Sequence, residues 1–295
     1  MTRHGKEKLI KLFFLGIATV SILILGLIVV FLFREGVPIF REVSIHNFLF
    51  GKEWYPTYDP PEYGIWPLIV GSLVVTVLSS LIAVPLGVLS AIFIAEIAPV
   101  AIRDFLKSAI ELLAGLPSVV LGFFGMVVLA PWMQEALDLP TGLNIVNASF
   151  MLAIMAIPTI SSISEDALYA VGKEFKEASY ALGATRYETI TRVIVPTALS
   201  GISAAVILGM ARAIGETMVV LMVAGGAAAM PEGLFDPVRP MPASIAAAMG
   251  EAPFRSGHYH ALFATGIVLF FLTLFFNLIA DYVSNRFKQV GSATL

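Results

Sequence analysis

The stretch SGISAAVILGMARAIGETMVVLMVA, residues 200–224, decides the fold class of this chain. Its 25 residues would form a helix of about 37 Å, enough to cross a hydrocarbon layer of roughly 30 Å. Its only charges are Arg212, at the midpoint, and Glu216, four residues later. A central arginine costs ~2.5–3.5 kcal/mol, so it should face protein or water and have a partner. The spacing predicts one continuous helix on which Glu216 lies one turn beyond Arg212 and pairs with it.

The whole chain has the composition of a membrane protein. It has 295 residues, of which 58% are hydrophobic and 13% charged, and its mean hydropathy is +0.89. A soluble domain carries about 25% charged residues. The absence of cysteine excludes a disulfide framework and a thiolate metal site.

Five more apolar stretches complete an all-α membrane protein with six predicted spans. They cover residues 12–33, 63–95, 112–134, 139–164 and 261–280. The first, at 22 residues, exceeds the apolar core of about 7–15 residues in a cleavable signal peptide, so we expect it to remain as a span. The second is longer than one upright span needs, and Pro85 predicts a kink that absorbs the excess.

The distribution of lysine and arginine predicts that both termini are cytoplasmic. With the N-terminus inside, the inner segments hold twelve of these residues and the outer loops hold five. We expect an N-terminal helix with an outer loop (1–64), a five-helix core (65–285) and a cytoplasmic tail (286–295). The outer segment KEWYPTYDPPEYGIW, residues 52–66, fits either an ordered cap or an aromatic belt around Trp54, Tyr55 and Trp66.

The longest inner loop, residues 165–199, contains the start and stop residues of two short helices. The first would end at Gly183, which fits the position after a helix C-terminus. Thr185 and Glu188 form a capping-box pattern for the second, and Pro196 would restart the chain towards the next span. A DNA-reading helix-turn-helix is disfavoured because the loop has five acidic and four basic residues. Two interpretations of the loop remain: an amphipathic connector on the membrane surface, or a rigid projection that binds a cytoplasmic partner.

Residues 177–196, EASYALGATRYETITRVIVP, resemble the EAA loop of ABC importer permeases: E-A-A, three residues, G, nine residues, then I-x-L-P. The matching positions are Glu177, Ala178, Ser179, Gly183, Val193, Val195 and Pro196. The resemblance implies a type I ABC importer permease core with a loop that docks onto ATPase subunits. It assigns that coupling role to Glu177, Ala178, Ser179, Leu182, Gly183 and Pro196.

Three other segments narrow the resemblance. SISEDAL (162–168), GLPSVVLGFFG (115–125) and ARAIGETMVV (211–220) together look like the C-type permease of the phosphate-specific ABC importer. Membership would imply a heterodimer with a sister A-type permease, a pair of ATPase subunits and an external phosphate-binding protein. It would also imply a multi-pass position, among lipid, in the cytoplasmic membrane of a bacterium or archaeon.

The chain itself has no motif for energy conversion. No G-x-x-x-x-G-K-[ST] phosphate loop occurs, because Gly172-Lys173 is followed by Glu174. We therefore expect a non-catalytic subunit without a cofactor of its own, with ATP and Mg²⁺ bound by the partner ATPase. No metal-ligand spacing stands out, and we expect no nucleic-acid partner.

Arg212, Glu216 and Thr217 are the candidates for the substrate path. The planar donors of Arg212 suit two phosphate oxygens, and Glu216 would hold the side chain while the path is empty. The alternative is a neutralised pair that only joins helices. The hydroxyls of Thr159, Ser161, Ser162 and Ser164 are weaker candidates, because bonds back to helix carbonyls near Pro158 explain them better.

Two other functions remain open. One is a permease for another oxyanion, such as sulfate or molybdate, because selectivity can reside in the binding protein. The other is a secondary carrier that uses the Arg212–Glu216 pair as a proton relay, in which an EAA loop would have no role.

Overall fold

The computed structural model describes residues 3–287, which are mostly helical. Of the tail expected at 286–295, residues 288–295 lie outside this range. The helices are α1 (Arg3–Gly36), α2 (Ile45–Phe50), α3 (Trp66–Ile92), α4 (Val100–Ala114), α5 (Ser118–Phe124), α6 (Ala130–Leu137), α7 (Ile145–Tyr169), α8 (Lys173–Ala181), α9 (Arg186–Thr189), α10 (Val195–Ile214), α11 (Met218–Val223), α12 (Met241–Ala248) and α13 (Gly257–Phe287). Single π-helical turns follow α3 (Phe93–Ile97), α5 (Gly125–Leu129) and α9 (Ile190–Ile194).

Six helical segments are long and apolar enough to cross a membrane, so the predicted number of spans is confirmed. They are Ile10–Arg41, Trp66–Ile97, Ser118–Leu137, Ile145–Tyr169, Arg186–Ile214 and Gly257–Ile279. The fourth, α7, is the most buried and packs against α3, α10, α4, α11 and α5. The first span packs against α13 through edge-to-face aromatic contacts such as that between Phe31 and Phe263.

Several predicted span boundaries are wrong. The first span ends at Arg41 rather than 33, and the fourth begins at Ile145 rather than 139. The third span begins at Ser118 rather than 112, because Pro117 has extended backbone and Leu112 belongs to the separate helix α4. The apolar residues of α4 lie on one face, and none of its residues is buried. The fifth span begins at Arg186 and ends at Ile214, not at residues 200 and 224. Pro85 lies inside α3, which continues through it to Ile92.

The aromatic segment of residues 52–66 belongs to a packed cap. A 3₁₀ turn (Val37–Arg41), α2 and a hairpin of β1 (Trp54–Tyr55) and β2 (Glu62–Tyr63) cover one end of the bundle. Trp54 is 2% exposed and shares a hydrophobic cluster with Phe48, Met241 and Leu262. Burial, with the nearby Glu42 carboxylate, raises the pKa of Tyr63. We call this end the cap end and the opposite one, which carries α8 and α9, the loop end.

Candidate functional site: an interrupted helix and a coupling loop

The helix that carries Arg212 is interrupted before Glu216. Helix α10 ends at Ile214, residues 215–217 are not helical, and α11 begins at Met218. The predicted continuous helix over 200–224 is therefore wrong. The local cause is Glu216: its Oε1 accepts hydrogen bonds from the backbone N–H groups of Met218 (3.1 Å) and Val219 (3.4 Å). A carboxylate there satisfies otherwise unpaired donors at the start of a helix, and Gly215 beside it is a poor helix former.

The predicted Arg212–Glu216 pair is not formed. Among residues 10–279, 281 and 282, whose side chains the structure describes, the ion pairs are Arg34–Glu35, Lys107–Glu165 and Lys176–Glu96. Arg212 is exposed, and its Nη1 instead donates to the Thr159 hydroxyl on α7, at 3.2 Å. The break turns the Glu216 carboxylate towards α11, which leaves Arg212 with a neutral partner.

Packing of small residues fixes the orientation of α10. A methyl group added at Gly209 would lie 2.5 Å from Ile160 Cγ1, and one added at Gly87 on α3 would lie 2.8 Å from Ile160 Cβ. Ile160 of α7 therefore fits between two glycines of neighbouring helices, whose small size lets the helices approach closely. Leu208 and Arg212, four residues apart, are both exposed on α10.

The other polar candidates have different surroundings. Thr217 is part-exposed in the interruption, and its hydroxyl donates to the Gly215 carbonyl at 3.3 Å. On α7, Ser162 is exposed, whereas the hydroxyls of Ser161 and Ser164 are buried without a hydrogen-bond partner. The expected bonds back to helix carbonyls are therefore absent at Ser161 and Ser164.

The loop of residues 165–199, which we call the coupling loop after the role that the resemblance implies, has the predicted turn and capping residues. Gly183 has φ +84, and the N–H of Gly183 donates to the Tyr180 carbonyl. Thr185 and Glu188 form the expected capping box. The second helix is not short, however: α9 continues through its π turn into α10, and Pro196 lies inside the first turn of α10 instead of restarting the chain. Proline is tolerated there because the first turn needs no internal donor.

The implied docking residues fall into two groups. Glu177, Ala178, Leu182 and Gly183 are exposed, and Leu182 is 89% exposed. Together with the exposed Phe175 and Tyr187 they make up a surface that we call the knob. Ser179, by contrast, is buried, and its Oγ lies 2.9 Å from Thr189 Oγ1, so it joins the two arms of the loop. Pro196 is half-buried and lies outside the knob.

Two ion pairs at the loop end were not predicted. Lys176 Nζ lies 2.6 Å from Glu96 Oε1, and Lys107 Nζ lies 3.2 Å from Glu165 Oε1. The hydrogen bond to the Glu165 carboxylate raises the pKa of Lys107. The position of Glu96, directly after the uncharged stretch 63–95, could have marked it as a residue that needs a charged partner. That partner, Lys176, lies 80 residues away in the sequence.

The chain matches a known family along most of its length. The family model for the inner membrane component of binding-protein-dependent transport systems matches residues 83–289. A probable ABC transporter permease of Bacillus subtilis, YqgH, is 43% identical over 263 residues, which are 88% of this chain and 85% of that protein. The phosphate transport system permease PstC of Mesorhizobium japonicum is 34% identical over 259 residues, covering 81% of this chain and 78% of its own.

Solved structures show the same fold at low sequence identity. A bacterial alginate ABC transporter aligns over 96% of this chain and 98% of its own, with a TM-score of 0.64 and 17% identity. The methionine ABC transporter MetNI aligns over 77% of this chain and 95% of its own, with a TM-score of 0.57 and 20% identity. The chain belongs to the binding-protein-dependent family of ABC importer permeases, as a multi-pass inner-membrane subunit that serves transport rather than catalysis.

Proposed function

We propose that this chain is the C-type permease subunit of an ATP-driven importer of inorganic phosphate. The observation that carries the proposal is the position of Arg212. This arginine is exposed at the end of an interrupted helix, and it donates a hydrogen bond to the neutral hydroxyl of Thr159. An arginine within a membrane-spanning segment is expensive and usually marks a substrate path. Its planar donors match two oxygens of a phosphate group.

The position of Arg212 at a helix C-terminus makes it available to an anion. The partial negative charge of the last turn of α10 favours a cation there, but it neutralises only about half a charge. Glu216, which could have neutralised the rest, is engaged at the start of α11. A phosphate that reaches the interruption would therefore meet a net positive charge. The relatives named as phosphate transport permeases support this substrate.

The remaining surfaces support an assembly with other subunits. The knob presents exposed apolar and acidic side chains at the loop end, as a docking site for an ATPase requires. ATP and Mg²⁺ would bind to that partner. The lysine and arginine distribution favours a cytoplasmic loop end, so an external phosphate-binding protein would meet the cap end. A sister A-type permease would cover the exposed side that carries Arg212, with the path between the two subunits.

Two alternatives are weaker. Sulfate and molybdate are also oxyanions, and the fold sets no substrate, because its solved neighbours are named for methionine and alginate transport. The Arg212 site favours an anion, which sulfate and molybdate share with phosphate, and the named relatives favour phosphate. A proton-coupled carrier needed the Arg212–Glu216 pair as its relay, and that pair is not formed.

Substitutions at Arg212 test the proposal in membrane vesicles that contain the ATPase, the sister permease and the binding protein. Arg212→Gln should lower ATP-driven uptake of labelled phosphate by about 10²-fold, because it removes an interaction with the moving charge that is worth several kcal/mol in a site away from bulk water. Arg212→Lys should retain part of the uptake, since it keeps the charge but loses the planar donors.

Leu208→Ala, one turn before on the same exposed side, is the matched control and should leave uptake near the wild-type rate. Immunodetection in the membrane normalises all three variants for abundance. Wild-type uptake by Arg212→Gln would show that the arginine has no role in the path.

A further inference from the structure

Glu96 holds both arms of the coupling loop. It lies in the π-helical turn Phe93–Ile97 that ends the second span. Its carboxylate accepts from Lys176 Nζ on α8 at 2.6 Å. Its backbone carbonyl accepts a hydrogen bond from Nη2 of Arg186, the first residue of α9. One residue of the second span therefore contacts the loop before and after the turn at Gly183.

The loop between these two contacts is closed on itself. The buried Ser179 and Thr189 hydroxyls lie 2.9 Å apart and join α8 to the end of α9. Apolar residues beneath the loop, Ile190 and Ile194, belong to a buried cluster with Ala91 and Ala95 of the second span. A loop closed in this way moves as a unit, and its polar links to the second span converge on Glu96.

The ion pair is shielded from water. The Glu96 side chain is 9% exposed and that of Lys176 is 26% exposed. A charge-assisted hydrogen bond in such surroundings is stronger than a neutral one, and removal of one partner leaves a poorly hydrated charge. π-helical turns, such as the one that carries Glu96, occur frequently at functional sites.

We infer that Glu96 is a positioning residue that fastens the coupling loop to the second span and so transmits motion of the ATPase to it. The second span packs along α7, which carries Thr159, the partner of Arg212. A displacement of the knob would therefore reach the substrate path through α3 and α7. This inference rests on the proposed function, in which an ATPase binds the knob.

Three variants in the full complex, reconstituted in proteoliposomes, test this role of the Glu96–Lys176 ion pair, which we call the clamp. Glu96→Gln and Lys176→Gln each remove the ion pair without changing the size of the side chain greatly, and Glu96→Gln leaves the backbone carbonyl for Arg186. The double exchange Glu96→Lys with Lys176→Glu restores a pair of opposite charges. Lys173→Gln is the matched control, because Lys173 is exposed on the same helix and forms no ion pair within the described residues.

The readouts are copurification of the ATPase, ATP hydrolysis stimulated by the binding protein, and labelled phosphate taken up per ATP hydrolysed. We expect both single variants to keep the ATPase bound but to lower phosphate uptake per ATP about tenfold, within the roughly 5- to 150-fold range of coupling between sites. The exchange should recover most of the coupling, and Lys173→Gln should be unchanged.

Normal coupling in both single variants would overturn the clamp, even if their abundance falls, since the pair would then only stabilise the fold. Failure of the exchange to recover coupling would also overturn it. A different result marks failure of the proposed function itself: wild-type complex that copurifies with no ATPase, or that imports no phosphate while its ATP hydrolysis still responds to the binding protein. If the wild-type complex imports no phosphate but its ATP hydrolysis responds to the binding protein, the role of Glu96 is judged from that stimulation of ATP hydrolysis in the variants.

Discussion

At the scale of single residues, opposite charges lie at opposite helix ends. Arg212 is in the last turn of α10, where the helix dipole favours a cation, and Glu216 precedes α11, where it favours an anion. Each charge therefore has a local role, and neither needs the other. This arrangement explains how an arginine at the end of a membrane-spanning segment and a glutamate just beyond it can lie four residues apart without an ion pair between them.

Glu216 is expected to act mainly as a hydrogen-bond acceptor for the start of α11. Glu216→Ala should destabilise the purified complex by ~1 kcal/mol, the usual cost of removing an acceptor at a helix N-terminus. Glu216→Gln keeps an acceptor oxygen and should cost less. Thermal unfolding in detergent measures both. If the two variants were equally destabilised, the charge of Glu216 rather than its acceptor oxygen would matter, and an ion pair with Arg212 in the complex would be the better explanation.

At the scale of elements, the coupling loop is the part whose local structure is most fully determined by its own sequence. A glycine at a left-handed position and a capping box three residues apart are short-range signals, and both form as predicted. The exposed surface of the knob depends on this turn, because φ +84 at Gly183 sets the direction in which α8 ends and the chain enters α9.

Gly183→Pro should therefore abolish transport while the subunit still reaches the membrane. Proline fixes φ near −65° and removes the N–H that donates to the Tyr180 carbonyl. Gly183→Ala is the milder control, since no atom lies within 4 Å of an added methyl group and only the backbone conformation is strained, by about 1–2 kcal/mol. Uptake and ATPase copurification are the measurements. Normal uptake coupled to ATP hydrolysis in the proline variant would contradict the docking role of the loop.

Features that a run of apolar residues does not encode were harder to predict. The number of spans could be predicted because each apolar run is recognised from its own length and composition, without knowledge of what it packs against. The break at residues 215–217 was missed because an apolar run of suitable length looks the same whether or not a glutamate side chain replaces the helical hydrogen bonds within it. The Lys176–Glu96 pair was missed because it joins residues 80 apart, which only the folded bundle brings together.

At the scale of the whole molecule, the subunit leaves much apolar surface uncovered. All residues of α1 from Ile10 to Leu27 are exposed, and so are Phe105 and Leu112 of α4. Lipid can cover part of this surface, but the exposed Arg212 cannot favourably face hydrocarbon. A second permease subunit beside α10 would resolve this by enclosing a polar path. We therefore expect the subunit to transport only within its complex.

The most direct test of the central claim is ATP-dependent uptake of labelled phosphate into proteoliposomes that contain this chain, its sister permease and the ATPase, with the binding protein outside. We expect uptake that requires ATP inside, is unaffected by collapse of the proton gradient, and is not reduced by an excess of sulfate or molybdate. Uptake that proceeds without ATP and stops when the proton gradient is collapsed would contradict an ATP-driven importer. ATP-dependent uptake of sulfate or molybdate, with none of phosphate, would contradict the assigned substrate.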